Sequence, residues 1–181
     1  MSDYNKIWKD WFEGGNSIWS EYGYNYHSYL ITKHIIQNLN IPKDGHILQF
    51  GTGLGITIEL LCNIYGVDRV VGYDIFNPLK HPNIQFFDAG KSDLNIDKIA
   101  YCDIDIGSVG THYKERKDLL DYISKNIVKN GYILTSKKLS IDYENDFEII
   151  ELNTFDIPEL WKNVHESRLY TKILMRKKWV L

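Results

Sequence analysis

The chain has few cysteines, no long apolar run and no charge excess of one sign. Its two cysteines, Cys62 and Cys102, sit inside apolar runs. They read as small buried hydrophobes, not as a disulfide or a metal pair. No apolar run approaches the ~18 residues that a membrane span needs, so no membrane association is expected. The opening MSDYNKIWKDW lacks the basic-then-apolar order of a signal peptide, and a reducing, cytoplasmic setting is the expectation. Lys and Arg number 21 against 24 Asp and Glu, a net charge of −3. That argues against general nucleic-acid binding. Basic residues gather only at SKKL and MRKKW, where Arg176, Lys177 and Lys178 read as a solvated end. There is no internal repeat, low-complexity linker or charge block.

What is present fits one domain, 1–181: 44% hydrophobic and 25% charged residues over 181 positions suffice for a real core. Aromatics are high at 14%, and many fall early: Tyr4, Trp8, Trp11, Phe12, Trp19, Tyr22 and Tyr24. Such a segment is too aromatic for a floppy tail. Residues 1–40 are expected to form an aromatic, helical cap, with Tyr26, Tyr29, Leu30, Ile35, Ile36 and Leu39 at helical spacing. From 45 to 181 strands and helices alternate, which implies a parallel sheet with covered faces. The expected strands are HILQF, RVVGYDI, NIQFFDA, IAYCDIDI, GYILTSK, FEIIELN and LYTKILMRKKW, the last being the longest. Helices are expected at GITIELLCNIY, at 113–130 with Gly131 as its stop, and at IPELWKNV. The final two strands are expected to pair antiparallel.

The stretch ILQFGTGLGIT is a strand, a G-x-G-x-G turn and a helix start. That arrangement suits a nucleotide: Gly51 allows the sharp turn, Gly53 a close backbone approach, and Gly55 close helix packing. Asp74 ends the second strand, where a carboxylate can take both ribose hydroxyls. Asp88 ends the third strand beside Ala89, where it can accept from an adenine amino group. Each of these acids also has a plain reading as a turn residue.

Taken together, ILQFGTGLGIT, VVGYDI, IQFFDAG, IAYCDIDIG and NGYILTSK resemble the ordered motifs of class I S-adenosylmethionine-dependent methyltransferases. The resemblance implies an α/β fold: a three-layer Rossmann-like sandwich on a mostly parallel seven-stranded sheet with an antiparallel last strand. It implies S-adenosyl-L-methionine as cofactor. Gly51, Thr52, Gly53 and Gly55 would surround its methionine part. Asp74 and Ile75 would serve the ribose side, Asp88 and Ala89 the adenine, and Asp103 the region of the methyl group. Two departures stand out. Gln49 occupies the position where the family usually carries an acid that organises the cofactor's amino group. The helix between the fifth and sixth strands is nearly absent, which leaves a homodimer as one way to cover that wall.

Methyl transfer needs alignment and, for some acceptors, a base. Candidate groups cluster in CDIDIGSVGTHY: Asp103 and Asp105 at strand spacing, and His112 on the loop that follows. The D-x-D also resembles that of macrocin-type O-methyltransferases, which bind a divalent cation. Here Lys137 and Lys138 follow the fifth strand where further acids would be needed, so no metal is expected. No N-P-P-Y, D-P-P-Y or Pro-Cys pair is present. The expected acceptor is therefore an oxygen or nitrogen of a small molecule. Two alternatives remain: a non-catalytic cofactor-binding module, and an NAD-dependent oxidoreductase, whose G-x-G-x-x-G is broken by Ile56.

Overall fold

Ile47, Leu48 and Phe50 are β-formers in a row, and each is at most 1% exposed. A continuous apolar run covered on both faces is what a central parallel strand requires. This strand is β1, His46–Phe50. The computed structural model describes residues 29, 32–53, 55–75, 77, 80–88, 92–104, 113–136, 141–152 and 172–178. Around β1 lie helix α1 at 32–37, α2 (Ile56–Tyr65), β2 (Val70–Asp74), β3 (Ile84–Phe86) and β4 (Ile99–Ile104). After them come α3 (Tyr113–Asn126), β5 (Ile127–Ser136), β6 (Phe147–Glu151) and β7 (Lys172–Lys177).

The sheet has seven strands in the order β3-β2-β1-β4-β5-β7-β6. β3, β2, β1, β4 and β5 pair in parallel. β7 is antiparallel to both β5 and β6. This is the expected mostly parallel sheet with an antiparallel last strand. The strand order reverses between β1 and β4, and in an open α/β sheet ligands enter at that switch point, outside the carboxyl ends of the strands.

Side chains alternate between two buried layers. Ile47, Tyr101, Leu134 and Leu174 face one layer with Ile35 and Ile36 of α1 and Ile58 and Leu61 of α2. Leu48, Phe50, Cys102 and Ile133 face the other with Leu119, Leu120 and Ile123 of α3. Cys62 and Cys102 are buried free thiols in different layers. Short connectors are held by side-chain amides and hydroxyls. Asn83 Nδ2 donates to the carbonyls of Val67 and Val70 (2.6 and 2.9 Å). The Tyr122 hydroxyl donates to the Ile96 carbonyl and accepts from its N–H, both at 3.1 Å.

Several expected boundaries shift. The amphipathic helix stops at Asn126, not at Gly131. Ile127 already pairs with Ile99 of β4, so tertiary pairing claims a β-branched pair that helical spacing had assigned to the helix. Gly131 instead serves an irregular stretch of β5: a Cβ there would lie 2.8 Å from Ile127 Cγ1 and 3.0 Å from the Ala100 carbonyl oxygen. β3 is only three residues long. The ten-residue β5 exceeds the six residues of β7, the strand expected to be longest. Between β5 and β6 the described residues hold a single 3-10 turn, Ile141–Tyr143. The aromatic residues at 4–26 and the helix expected at 157–164 lie outside the described residues.

Two predictions follow from the packing. A Cβ on Gly72 would lie 2.7 Å from Thr52 Cγ2 and 2.8 Å from Ile58 Cδ1. Gly72→Ala is therefore expected to cost about 1–3 kcal/mol of unfolding free energy in denaturant titration; an unchanged midpoint would contradict that crowding. Tyr73 stacks on Phe50 at 4.9 Å. Burial first, then the neighbouring Cys102 and Tyr122, pushes its hydroxyl up to about 12 from 10.0. The unfolded chain ionises first, so Tyr73 contributes stability below pH 10 that is lost as the pH rises towards 12. Tyr73→Phe should flatten the alkaline decline in unfolding free energy over that window.

Candidate functional site

The turn after β1 begins two residues beyond Gln49. Gly51, Gly53 and Gly55 all take positive φ (74°, 53° and 81°), which a side chain would strain. Gly55 N–H donates to the Thr52 carbonyl at 2.9 Å, and the Gly55 carbonyl accepts from Glu59 N–H to start α2. A Cβ on Gly55 would sit 2.9 Å from Ile84 Cδ1, so the helix start is pressed against β3.

Asp74 closes this turn. Its Oδ2 accepts from Gly53 N–H at 2.8 Å and lies 3.5 Å from the Thr52 hydroxyl. A carboxylate–amide bond of this kind is charge-assisted. Asp74 thus organises the backbone of the glycine turn from the end of β2. Ile75, next in the chain, is 50% exposed. Phe87 N–H donates to the Asp74 carbonyl at 3.0 Å, which brings Asp88 to the same end of the sheet. Asp88 also closes its own loop: its N–H donates to Ser92 Oγ, and its carbonyl accepts from Ser92 N–H.

Across β1 lies Asp103. In the parallel register Gln49 pairs with Gly72 on one side and with Asp103 on the other. Paired positions in a parallel sheet share a face. That face also carries Asp74, two residues beyond Gly72. Gln49 and Asp103 are 3% and 1% exposed. Thr32 of α1 donates its hydroxyl to Asp103 Oδ2 at 3.0 Å. Gln49 Oε1 is buried with no hydrogen-bond partner among the described residues. Burial, then the adjacent Asp103 charge, holds the Tyr101 hydroxyl and the Cys102 thiol well above their usual ranges. Cys102, with no exposed surface, serves the core.

The structure gathers Gln49, Gly51, Thr52, Gly53, Gly55, Asp74 and Asp103 around the ends of β1, β2 and β4, with Ile75 and Asp88 at the margin. Ala89, Asp105 and His112 lie outside the described residues. Sequence reasoning did not single out Thr32, Gly72 or Tyr101. A signal existed for Thr32: it stands three and four residues before Ile35 and Ile36, on the apolar face of its helix. A hydroxyl at such a position needs a buried partner.

No protein-family model matches the chain, and no curated protein matches it. Solved structures do. The N-methyltransferase NodS from Bradyrhizobium japonicum WM9, in complex with S-adenosyl-L-homocysteine, superposes with TM-score 0.55 at 10% identity, over 82% of this chain and 86% of that one. A second NodS structure gives TM-score 0.54 at 9% identity, over 90% and 100%. A TehB-like SAM-dependent methyltransferase from Corynebacterium glutamicum ATCC 13032 gives TM-score 0.51 at 14% identity, over 97% and 96%. Identities this low speak to fold alone. With the seven-stranded order and the antiparallel β7, they establish that this chain adopts the class I S-adenosylmethionine-dependent methyltransferase fold.

Proposed function

We propose that the protein binds S-adenosyl-L-methionine and transfers its methyl group to an oxygen or nitrogen of a small-molecule acceptor. The observation that carries this reading is the glycine turn at the switch point, closed by the Asp74 carboxylate on Gly53 N–H at 2.8 Å. The donor set suits that cofactor: one acid stands on each side of β1, and a buried amide oxygen on β1 has no partner among the described residues.

When bound, the cofactor supplies an electrophilic methyl group on a sulfonium and its own leaving group. The chain's part is to bind, orient and exclude water. Gly51, Thr52, Gly53 and Gly55 would border the methionine part. Asp74, with Ile75, would hold the ribose, and Asp88 with Ala89 the adenine. Asp103 closes the site on the β4 side. Asp105, next in the sequence after β4, and His112, eight residues beyond β4, are the proposed groups for taking a proton from the acceptor. The aromatic N-terminal segment would shape the acceptor pocket.

Titration calorimetry with S-adenosylmethionine and S-adenosylhomocysteine tests the reading, and binding of neither would overturn it. Asp74→Ala is expected to weaken both by at least about tenfold, since it removes charge-assisted hydrogen bonding and loosens the turn. Binding without turnover across a broad acceptor panel would favour a cofactor-binding module. Binding of a nicotinamide dinucleotide instead would favour the oxidoreductase.

A further inference from the structure

The proposed function leaves His81 unused. It lies in the connection between β2 and β3, and its side chain is only 16% exposed. The ring packs beside the glycine turn: Cβ and Cδ2 lie 3.8 Å from the point that a Gly55 Cβ would occupy. Both ring nitrogens are engaged. Nδ1 accepts from Asn83 N–H at 3.1 Å. Nε2 stands 3.0 Å from Glu59 Oε2, in the first turn of α2. A main-chain N–H can only donate, so Nδ1 is bare and Nε2–H donates to Glu59. This arrangement requires the neutral imidazole.

The backbones on both sides of the ring are held. Asn77 Oδ1 accepts from His81 N–H at 2.8 Å, and Asn77 Nδ2 donates to the carbonyls of His81 and Ile84 (3.0 and 3.2 Å). Asn83 is tied down by its own side-chain amide, which reaches the Val67 and Val70 carbonyls. A second proton on Nδ1 would therefore aim a donor at a donor that cannot retreat. From α2 the ring faces Glu59; from the turn it faces Gly55, with Ile84 of β3 alongside. Of these only Glu59 is charged, and Lys80, the preceding residue, is exposed. Glu59 favours the charged ring, but it is 65% exposed. Solvent screens such a pair, and the carboxylate can follow a moving ring. The clash at Nδ1 has no such relief.

We propose that His81 is a proton-operated latch. Neutral, it clamps the β2–β3 connection to the start of α2; protonated, it releases the connection and loosens the glycine turn beneath it. Histidine changes charge between about pH 5 and 8.

The latch is read without ligand. Ring-nitrogen NMR of the full chain should show a bare Nδ1 and a protonated Nε2 for His81 at about pH 7.5. As the ring takes its second proton, the protection of the Asn83 amide against hydrogen exchange, corrected for its intrinsic rate, should fall. The expected drop is on the order of tenfold, the scale of one lost hydrogen bond. His81→Asn keeps an acceptor near the Nδ1 position and cannot titrate, so the amide should stay protected down to about pH 5.5. Glu59→Gln removes the pull towards the charged ring and should move the transition to lower pH. On the S-adenosylmethionine reading above, affinity for S-adenosylhomocysteine should fall about threefold or more over that range in the unsubstituted chain, and stay within about twofold in His81→Asn.

A proton on Nδ1 of the neutral ring would overturn the proposal. So would Asn83 protection that does not follow the His81 titration, a transition that survives His81→Asn, or an equal acid loss of affinity in both chains. If His81→Asn does not fold, judged by its thermal transition, Glu59→Gln decides, and an unmoved or raised transition overturns the latch. A chain that binds no S-adenosylhomocysteine at any pH would overturn the proposed function alone, since ring and amide are observed without ligand.

Discussion

β1 hydrogen-bonds to a parallel neighbour along each edge, and the placement of Gln49, Asp74 and Asp103 follows from that double pairing. Its register sets Gln49 between Gly72 and Asp103. The reversal of strand order on its β4 side opens the crevice at the carboxyl ends. Had β4 slipped by one residue against β1, Asp103 and Tyr101 would have moved to the face of Leu120 and Ile123. The polar groups and the glycine turn would then have parted.

The pairing brings polar atoms into a place where burial is costly. An unsatisfied buried acceptor forfeits about 1–3 kcal/mol, and an isolated buried carboxylate far more. Thr32 relieves part of this by reaching Asp103 from α1. The same contact ties α1 to the centre of the sheet, so the helix belongs to the site and does not merely cover it. Gly72 makes the complementary concession in volume. Without a side chain it lets Thr52 and Ile58 close over β2, and the turn can settle onto Asp74.

Much of this was legible in local pattern. HILQF followed by alternate glycines reads as strand, turn and helix, because an apolar run and glycine's freedom at positive φ are local properties. The acids at the ends of β2 and β4 were legible as well, since a strand's end can be counted from its apolar residues. The end of α3 was not. Ile127 and Val128 continue the helical spacing of Leu120 and Ile123, and only pairing with Ile99 turns them into strand. Thr32 to Asp103, 71 positions apart, was equally out of reach, because a single hydroxyl on an apolar face does not announce its partner.

The sequence by itself determined the class of fold, the glycine turn and the acids that flank it, for these depend on spacing within about ten residues. Only the tertiary structure decided which acid stands beside Gln49, which hydroxyl holds that acid, and why position 72 carries no side chain. Those relations arise from the register between strands distant in the chain. No periodicity encodes that register; the buried layers on the two faces of the sheet select it.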